Sequence, residues 1–157
     1  ATPDIQFHVQ PWSADSPSQG VHPFSAFTMS VCQLRPESRG SIRLKSADPS
    51  VYPAIHPNYL ATETDCQTIV DGVRIARRIA AERPLSGKIT GEMRPGPEVR
   101  DDAALLDWVR NSATTIFHPT GTAAMGPVLA LRTVWHRKTA HRRKKVGILR
   151  VAEMARA

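Results

Sequence analysis

The sequence is poor in cysteine. Cys32 and Cys66 are its only two, with 33 residues between them and no Cys-x-x-Cys spacing. That excludes a disulfide framework and a thiolate metal knuckle, and it suits an ordinary cytoplasmic protein. No apolar run approaches the ~18 residues of a membrane-spanning helix, and no signal-peptide pattern opens the chain. Any membrane association is therefore expected to be peripheral. Glycine is sparse, at nine residues, and no Gly-x-Gly-x-x-Gly run occurs. A loop for the phosphates of a dinucleotide is thus excluded from the chain. Acidic residues are nearly missing from the last stretch: residues 127–157 hold nine Lys or Arg and one Asp or Glu, a balance of +8. The other 126 residues balance at −1, so the net charge of +7 belongs to the tail. The high basicity gives the main body no reason to bind nucleic acid.

What is present suffices for one domain with a core, since 41% of the 157 residues are hydrophobic. The chain opens at Ala1, without an initiator Met and within a strand-like pattern, as expected of a fragment. In residues 3–11, Ile5, Phe7 and Val9 alternate with Gln6, His8 and Gln10, the pattern of a half-buried strand with His8 on its polar face. A Ser-, Pro-, Asp- and Gly-rich loop follows over 13–20. A second alternating segment covers 24–34 with Phe27, Met29, Val31 and Gln33 on one side. A turn at 35–40 leads to a third strand over 41–46 with Ile42 and Leu44 inward, and 54–60 continues extended. Antiparallel strands in such a run make a sheet with one face free for a ligand.

Thr64 and Gln67 form a candidate capping box for a helix running to about Glu82. Ile69, Val73, Ala76 and Ala80, flanked by Val70 and Ile79, make its apolar face, and Arg74, Arg77 and Arg78 read as a solvated face. A short strand is expected over 88–92. Asp101 or Asp102 caps a second helix to about Asn111, its apolar side formed by Leu105, Leu106, Trp108 and Val109. Two carboxylates there answer the helix dipole and are not read as a catalytic pair. Trp12, Phe24 and Phe27 are read as core in preference to a substrate wall. His136 and His141 lack a third ligand, so no metal site is expected.

The second helix delivers the chain into Thr115-Ile116-Phe117-His118-Pro119-Thr120-Gly121-Thr122-Ala123-Ala124-Met125-Gly126. Pro119 biases His118 toward an extended backbone, and Gly121 with the two threonines permits a tight turn that leaves room for a flat ligand. This run resembles the His-Pro-x-Gly-Thr-x-x-Met-Gly motif of the glucose-methanol-choline (GMC) flavoprotein oxidoreductases. The order Arg-Pro-x-Ser-Arg-Gly, x-Asp-Pro and Pro-x-Ile-x-x-Asn-Tyr-Leu over residues 35–60 resembles the sheet of that family's substrate domain.

The resemblance implies an α+β fold, an antiparallel sheet with helices packed on one face, over residues 1–126. It implies the C-terminal part of an FAD-dependent enzyme, choline- or alcohol-dehydrogenase-like, that oxidises a primary alcohol to the aldehyde. Alcohol oxidation needs a base for the hydroxyl proton and a hydride acceptor that no side chain provides. His118 is the candidate base, since a neutral imidazole suits that task near pH 7. By resemblance, Pro119, Thr120, Gly121 and Thr122 lie beside the isoalloxazine ring, and the FAD-binding domain is a separate N-terminal partner. The isolated chain is accordingly expected to be inactive.

After Gly126 the sequence departs from the family, which continues to Gly-Leu-Arg-Val-x-Asp-Ala-Ser. Here Gly147-Ile148-Leu149-Arg150-Val151-Ala152-Glu153 is a partial echo, and the family's second active-site His or Asn would fall beyond Ala157. Residues 127–157 are read as an atypical basic tail, disordered or translated in a shifted frame. The alternatives are an alcohol oxidase of the same family, a nucleic-acid-binding protein acting through Arg142-Arg143-Lys144-Lys145, and a noncatalytic remnant.

Overall fold

The computed structural model describes residues 2–16 and 19–116 and the backbone of 148–155. Strand β1, Ile5–Gln10, pairs antiparallel with β2, Ala26–Gln33, in a register from Ile5↔Gln33 to Gln10↔Thr28. Strands β3, Ser41–Arg43, and β4, Ala54–His56, form a separate antiparallel ribbon with Ile42 opposite Ile55. Helix α1, Glu63–Ala81, is followed by a 3₁₀ turn at Ser86–Lys88, strand β5, Gly91–Arg94, and helix α2, Asp102–Ser112. Strand β6, Ile148–Ala155, lies between β2 and β5, giving an antiparallel sheet of order β1-β2-β6-β5. The architecture is α+β, as the family resemblance implies. The rest of the basic tail lies outside the described residues.

The core sits between the sheet and the helices. Met29 and Val31 of β2 pack with Ile69, Val70, Val73 and Ala76 of α1 and with Leu105 and Val109 of α2. Val31, Val73, Leu105 and Val109 are wholly buried, and each such side chain contributes about 1.5–3 kcal/mol when removed from water. The spacing of 69, 73, 76 and 80 keeps one stripe of α1 on the sheet. Gly72 lies within that stripe: a Cβ built there would run into Cγ1 of Val31. The glycine lets helix and sheet approach more closely than any other residue would allow.

Several expectations are corrected. The cap of α1 is Thr62 and not Thr64; Oγ1 of Thr62 accepts from the Asp65 amide at 3.3 Å. Gln67 does not close a capping box, because its amide donates to Asp71 at 3.0 Å one turn along. Residue 88 closes the 3₁₀ turn, so the strand expected from Lys88 begins at Gly91. The third strand stops at Arg43, and Ile42 and Leu44 point into solvent, 52% and 86% exposed. Alternation put them on one face but nothing in the described chain covers that face. Ile79 too is exposed. On β2, Thr28, Ser30 and Cys32 are buried along with Met29 and Val31, so both faces of this strand are covered.

Candidate functional site

His118, Pro119, Thr120, Gly121 and Thr122 lie outside the described residues. What is described is the frame that leads into them. Asp101 caps α2 by accepting from the Ala104 amide at 2.8 Å, and Leu105 and Val109 fix the helix on the core. At Ala113, five residues before the histidine in sequence, the backbone turns extended (φ −65°, ψ 141°). The segment before the loop is thus held at a helix end that two buried side chains anchor.

A second anchor joins α1 to β5 and to the segment entering α2. The Arg77 Nε donates to both carboxylate oxygens of Glu92, at 3.1 and 3.0 Å, and Nη2 donates to Oε1 at 2.9 Å. The same guanidinium donates to the carbonyls of Gly96, at 2.9 Å, and Val99, at 2.8 Å. Arg77 is therefore not part of a solvated face. Gly96 adopts φ +101°, a conformation that side-chain-bearing residues rarely take. Beside this pair, an open groove of about 500 Å³ is lined by Arg77, Ala80, Ile89, Glu92, Pro97 and Arg100. Its charged groups are already engaged: Arg77 with Glu92, and Nε of Arg100 with the Pro97 carbonyl at 2.7 Å.

A third anchor is Asp65, in the first turn of α1 and 1% exposed. Oδ1 accepts from Gln33 Nε2 and from the Glu37 amide, and Oδ2 accepts from the Ser38 amide, all at 2.8 Å. Burial alone would push this carboxyl up, but hydrogen bonds from Ser38, Glu37 and Gln33 outweigh it and hold the group below its ordinary 3.8. The turn 36–38 is thereby fastened to the helix. No sequence signal marked Asp65 or the Arg77–Glu92 pair, since each joins elements far apart in the chain.

At the other end of the sheet, Ser13 Oγ lies 2.8 Å from His22 Nδ1, and His22 Nε2 lies 3.5 Å from Asp15 Oδ2. Arg94 also pairs with Asp15, whose carboxyl is held down first by Arg94 and then by His22. A hydroxyl, an imidazole and a carboxylate in a row suggest a nucleophile. Ser13 is only 1% exposed, however, so a substrate has no access to its oxygen. The cluster pins the loop between β1 and β2, helped by the Thr28 hydroxyl donating to the Trp12 carbonyl at 2.8 Å. Of the aromatic residues read as core, Phe27 packs against it. Phe24 does not: it is exposed and stacks on His22 at 4.9 Å between ring centroids. Trp12 is half-buried.

A dinucleotide cofactor needs donors for its diphosphate, often the free amides of a helix N-terminus. Helix α1 opens with Glu63 and Asp65 and α2 with Asp102, and side chains of Thr62 and Asp101 already cap them. A diphosphate would meet carboxylates at both ends. The described residues do not fit the nucleotide half of FAD. Among the described residues no cluster of three His, Cys, Asp or Glu could hold a metal ion, and no helix is long and apolar enough to cross a membrane.

Sequence comparison supplies the remaining observation. A family profile described as GMC oxidoreductase, the C-terminal domain, matches residues 36–141. Oxygen-dependent choline dehydrogenases of Staphylococcus aureus strains JH9 and Newman are each 38% identical to the chain over 125 residues. The aligned segment is 80% of this chain and 22% of each relative. The chain thus spans about a fifth of the length of the curated relatives it matches. The His118 loop lies inside the matched span, and β1 and β2 lie before it.

Proposed function

Since the chain belongs to the GMC oxidoreductase family by its match over residues 36–141, we propose that it is the substrate-side part of an oxidoreductase acting on CH–OH groups. In this reading His118 accepts the hydroxyl proton of a primary alcohol held against the loop. FAD, when bound, supplies the hydride acceptor; it is held mainly by a separate nucleotide-binding portion, with the ring beside Pro119, Thr120, Gly121 and Thr122. The observation that carries the reading is the uninterrupted His118–Gly126 motif inside the matched span.

The chain's own share of the chemistry is positioning and proton transfer. A neutral imidazole accepts the hydroxyl proton as the C–H bond breaks, and the resulting imidazolium stabilises the developing carbonyl. Restricting the backbone at His118 with Pro119 lowers the cost of holding that geometry. The Staphylococcus aureus relatives are oxygen-dependent choline dehydrogenases, which favours choline as substrate and oxygen as the electron acceptor. On this reading the protein works as an alcohol oxidase or dehydrogenase only when joined to a flavin-bearing portion.

The test is a chimera in which residues of this chain replace the matched fifth of the Staphylococcus aureus enzyme. It should oxidise choline, and His118→Gln should lower kcat by about 10²- to 10⁴-fold while leaving bound flavin unchanged. Full turnover by the His118→Gln chimera would sink the assignment of the base.

A further inference from the structure

Strands β2 and β5 do not pair with each other; each pairs with β6, which lies between them. Glu153, Met154 and Ala155 are matched on both sides, to Thr28, Phe27 and Ala26 of β2 and to Arg94, Glu92 and Gly91 of β5. The strands flanking β6 therefore stand two ladder spacings apart, about 9.5 Å. Among the described residues β5 has no other ladder partner. In sequence β6 is remote from both strands, following α2 only after residues 113–147.

Both walls of this gap are held by contacts that do not involve β6. β2 is paired to β1 along its other edge, and its Met29 and Val31 are buried against α1 and α2. Gly72 of α1 lies against Val31. Five residues on, about 7.5 Å along the helix, Arg77 grips Glu92 of β5. Three residues further, Ala80 packs on Phe27 of β2 and on Ile89, two residues before β5. Arg94 of β5 pairs with Asp15 in the loop that leads to β2. Helix α1 and that ion pair thus set the distance between two strands that share no ladder, and the distance is one strand wide. Left empty, the gap would strand N–H and C=O groups along a buried strand, so it calls for an extended backbone.

We propose that the gap between β2 and β5 is a preformed acceptor for one extended peptide, and that Ile148–Ala155 occupies it as a ligand that can leave and be replaced in trans. The occupant is this segment because the chain itself is paired there on both sides. Its composition fits the place. Residues 148–155 contain no Pro or Gly and carry one Arg against one Glu, whereas residues 127–147 carry seven Lys or Arg and no acidic residue. A net-neutral segment without proline meets the demand of a central strand, where the amides must donate to the ladder. Recognition runs through the backbone, so the acceptor takes extended segments of this class and not folded partners.

Met154→Pro in the full 157-residue chain tests the proposal by hydrogen exchange. Met154 is opposite Phe27 on one side and Glu92 on the other, so a proline there removes a ladder donor whichever way the amide faces. The variant should keep its helical circular dichroism and the protection of the Val73 amide in α1, while protection over Gly91–Arg94 falls by about tenfold or more. A synthetic peptide of residues 147–156 should then bind saturably and restore that protection, and the same peptide carrying Met154→Pro should not. In the unsubstituted chain the amides of 148–155 should exchange about tenfold or more faster than that of Val73, because the strand leaves while its walls stand. Equal exchange of 148–155 and Val73 would overturn the proposal. So would a variant that unfolds as a whole, since the walls would then depend on the strand. Protection of β5 unchanged by the substitution, or a folded variant that does not bind the peptide, would overturn it too. A concentration-dependent dimer that Met154→Pro abolishes would overturn the intramolecular occupant in favour of the strand of a second copy.

Discussion

Arg77 of α1 and Glu92 of β5 meet side-on, with three N–H···O contacts of 2.9–3.1 Å, and the same guanidinium closes on the carbonyls of Gly96 and Val99. One side chain therefore ties a helix, a strand and the segment leading to α2. At 22% and 13% side-chain exposure, the pair is shielded enough for the geometry to matter.

Replacing Arg77 with Met should cost about 2–4 kcal/mol in urea unfolding, because Glu92 and two carbonyls lose their donor. Arg77→Lys should recover only part of this, since an ammonium cannot reproduce the fork. Arg78→Ala, at an exposed position of the same helix, should change stability by less than about 0.5 kcal/mol. Equal effects at 77 and 78 would contradict the clamp.

Asp65 gives a pH dependence of definite sign. Its carboxyl is held below 3.8 in the folded chain, so the unfolded chain binds the proton more readily. The stabilisation is fully present above about pH 4 and is lost as pH falls through the folded-state value. Asp65→Asn should lower stability at pH 7 by about 1–3 kcal/mol and flatten the acid limb of the stability–pH curve. Denaturant midpoints measured from pH 7 down to pH 3 check this. An unchanged acid limb would assign the sensitivity to other carboxyls.

At Gly72 two effects oppose. Alanine gains about 1 kcal/mol of helix propensity over glycine, but its methyl would overlap Val31. Overpacking costs about 1–3 kcal/mol, so Gly72→Ala should destabilise on balance. Val31→Ala added to it should be less harmful than the sum of the single changes, a coupling that thermal melts of the four variants can read.

The flavin expectation is tested by absorbance. Purified with excess FAD, the chain should retain no stoichiometric yellow complex, because its helix N-termini carry carboxylates where a diphosphate would bind. A one-to-one complex that survives desalting would overturn that reasoning.

The first helix was legible because burial follows period: Ile69, Val73, Ala76 and Ala80 on α1 are buried as their spacing implies. On β2 alternation found Met29 and Val31 but not that Thr28, Ser30 and Cys32 on the other face are covered as well. Alternation reports which residues share a face and not what covers it, which is why Ile42 and Leu44 were placed inward and prove exposed. Thr62 and Thr64 each precede a residue suited to a cap, and only the backbone geometry separates them. Arg77 was misread because its partners, at 92, 96 and 99, lie on elements that helical periodicity does not see. Of the candidate site, the His118 motif was legible as residues alone, and the frame that carries it required the fold.

The Asp65 anchor also governs how the molecule opens. The Glu37 and Ser38 amides end on a carboxylate in the first turn of α1, so their protons exchange with solvent only when that turn frays or the carboxylate lets go. Two backbone positions 28 and 27 residues before Asp65 thus report on the helix N-terminus. In a hydrogen-exchange experiment they should move together with the first turn of α1 and not with the strands beside them in sequence.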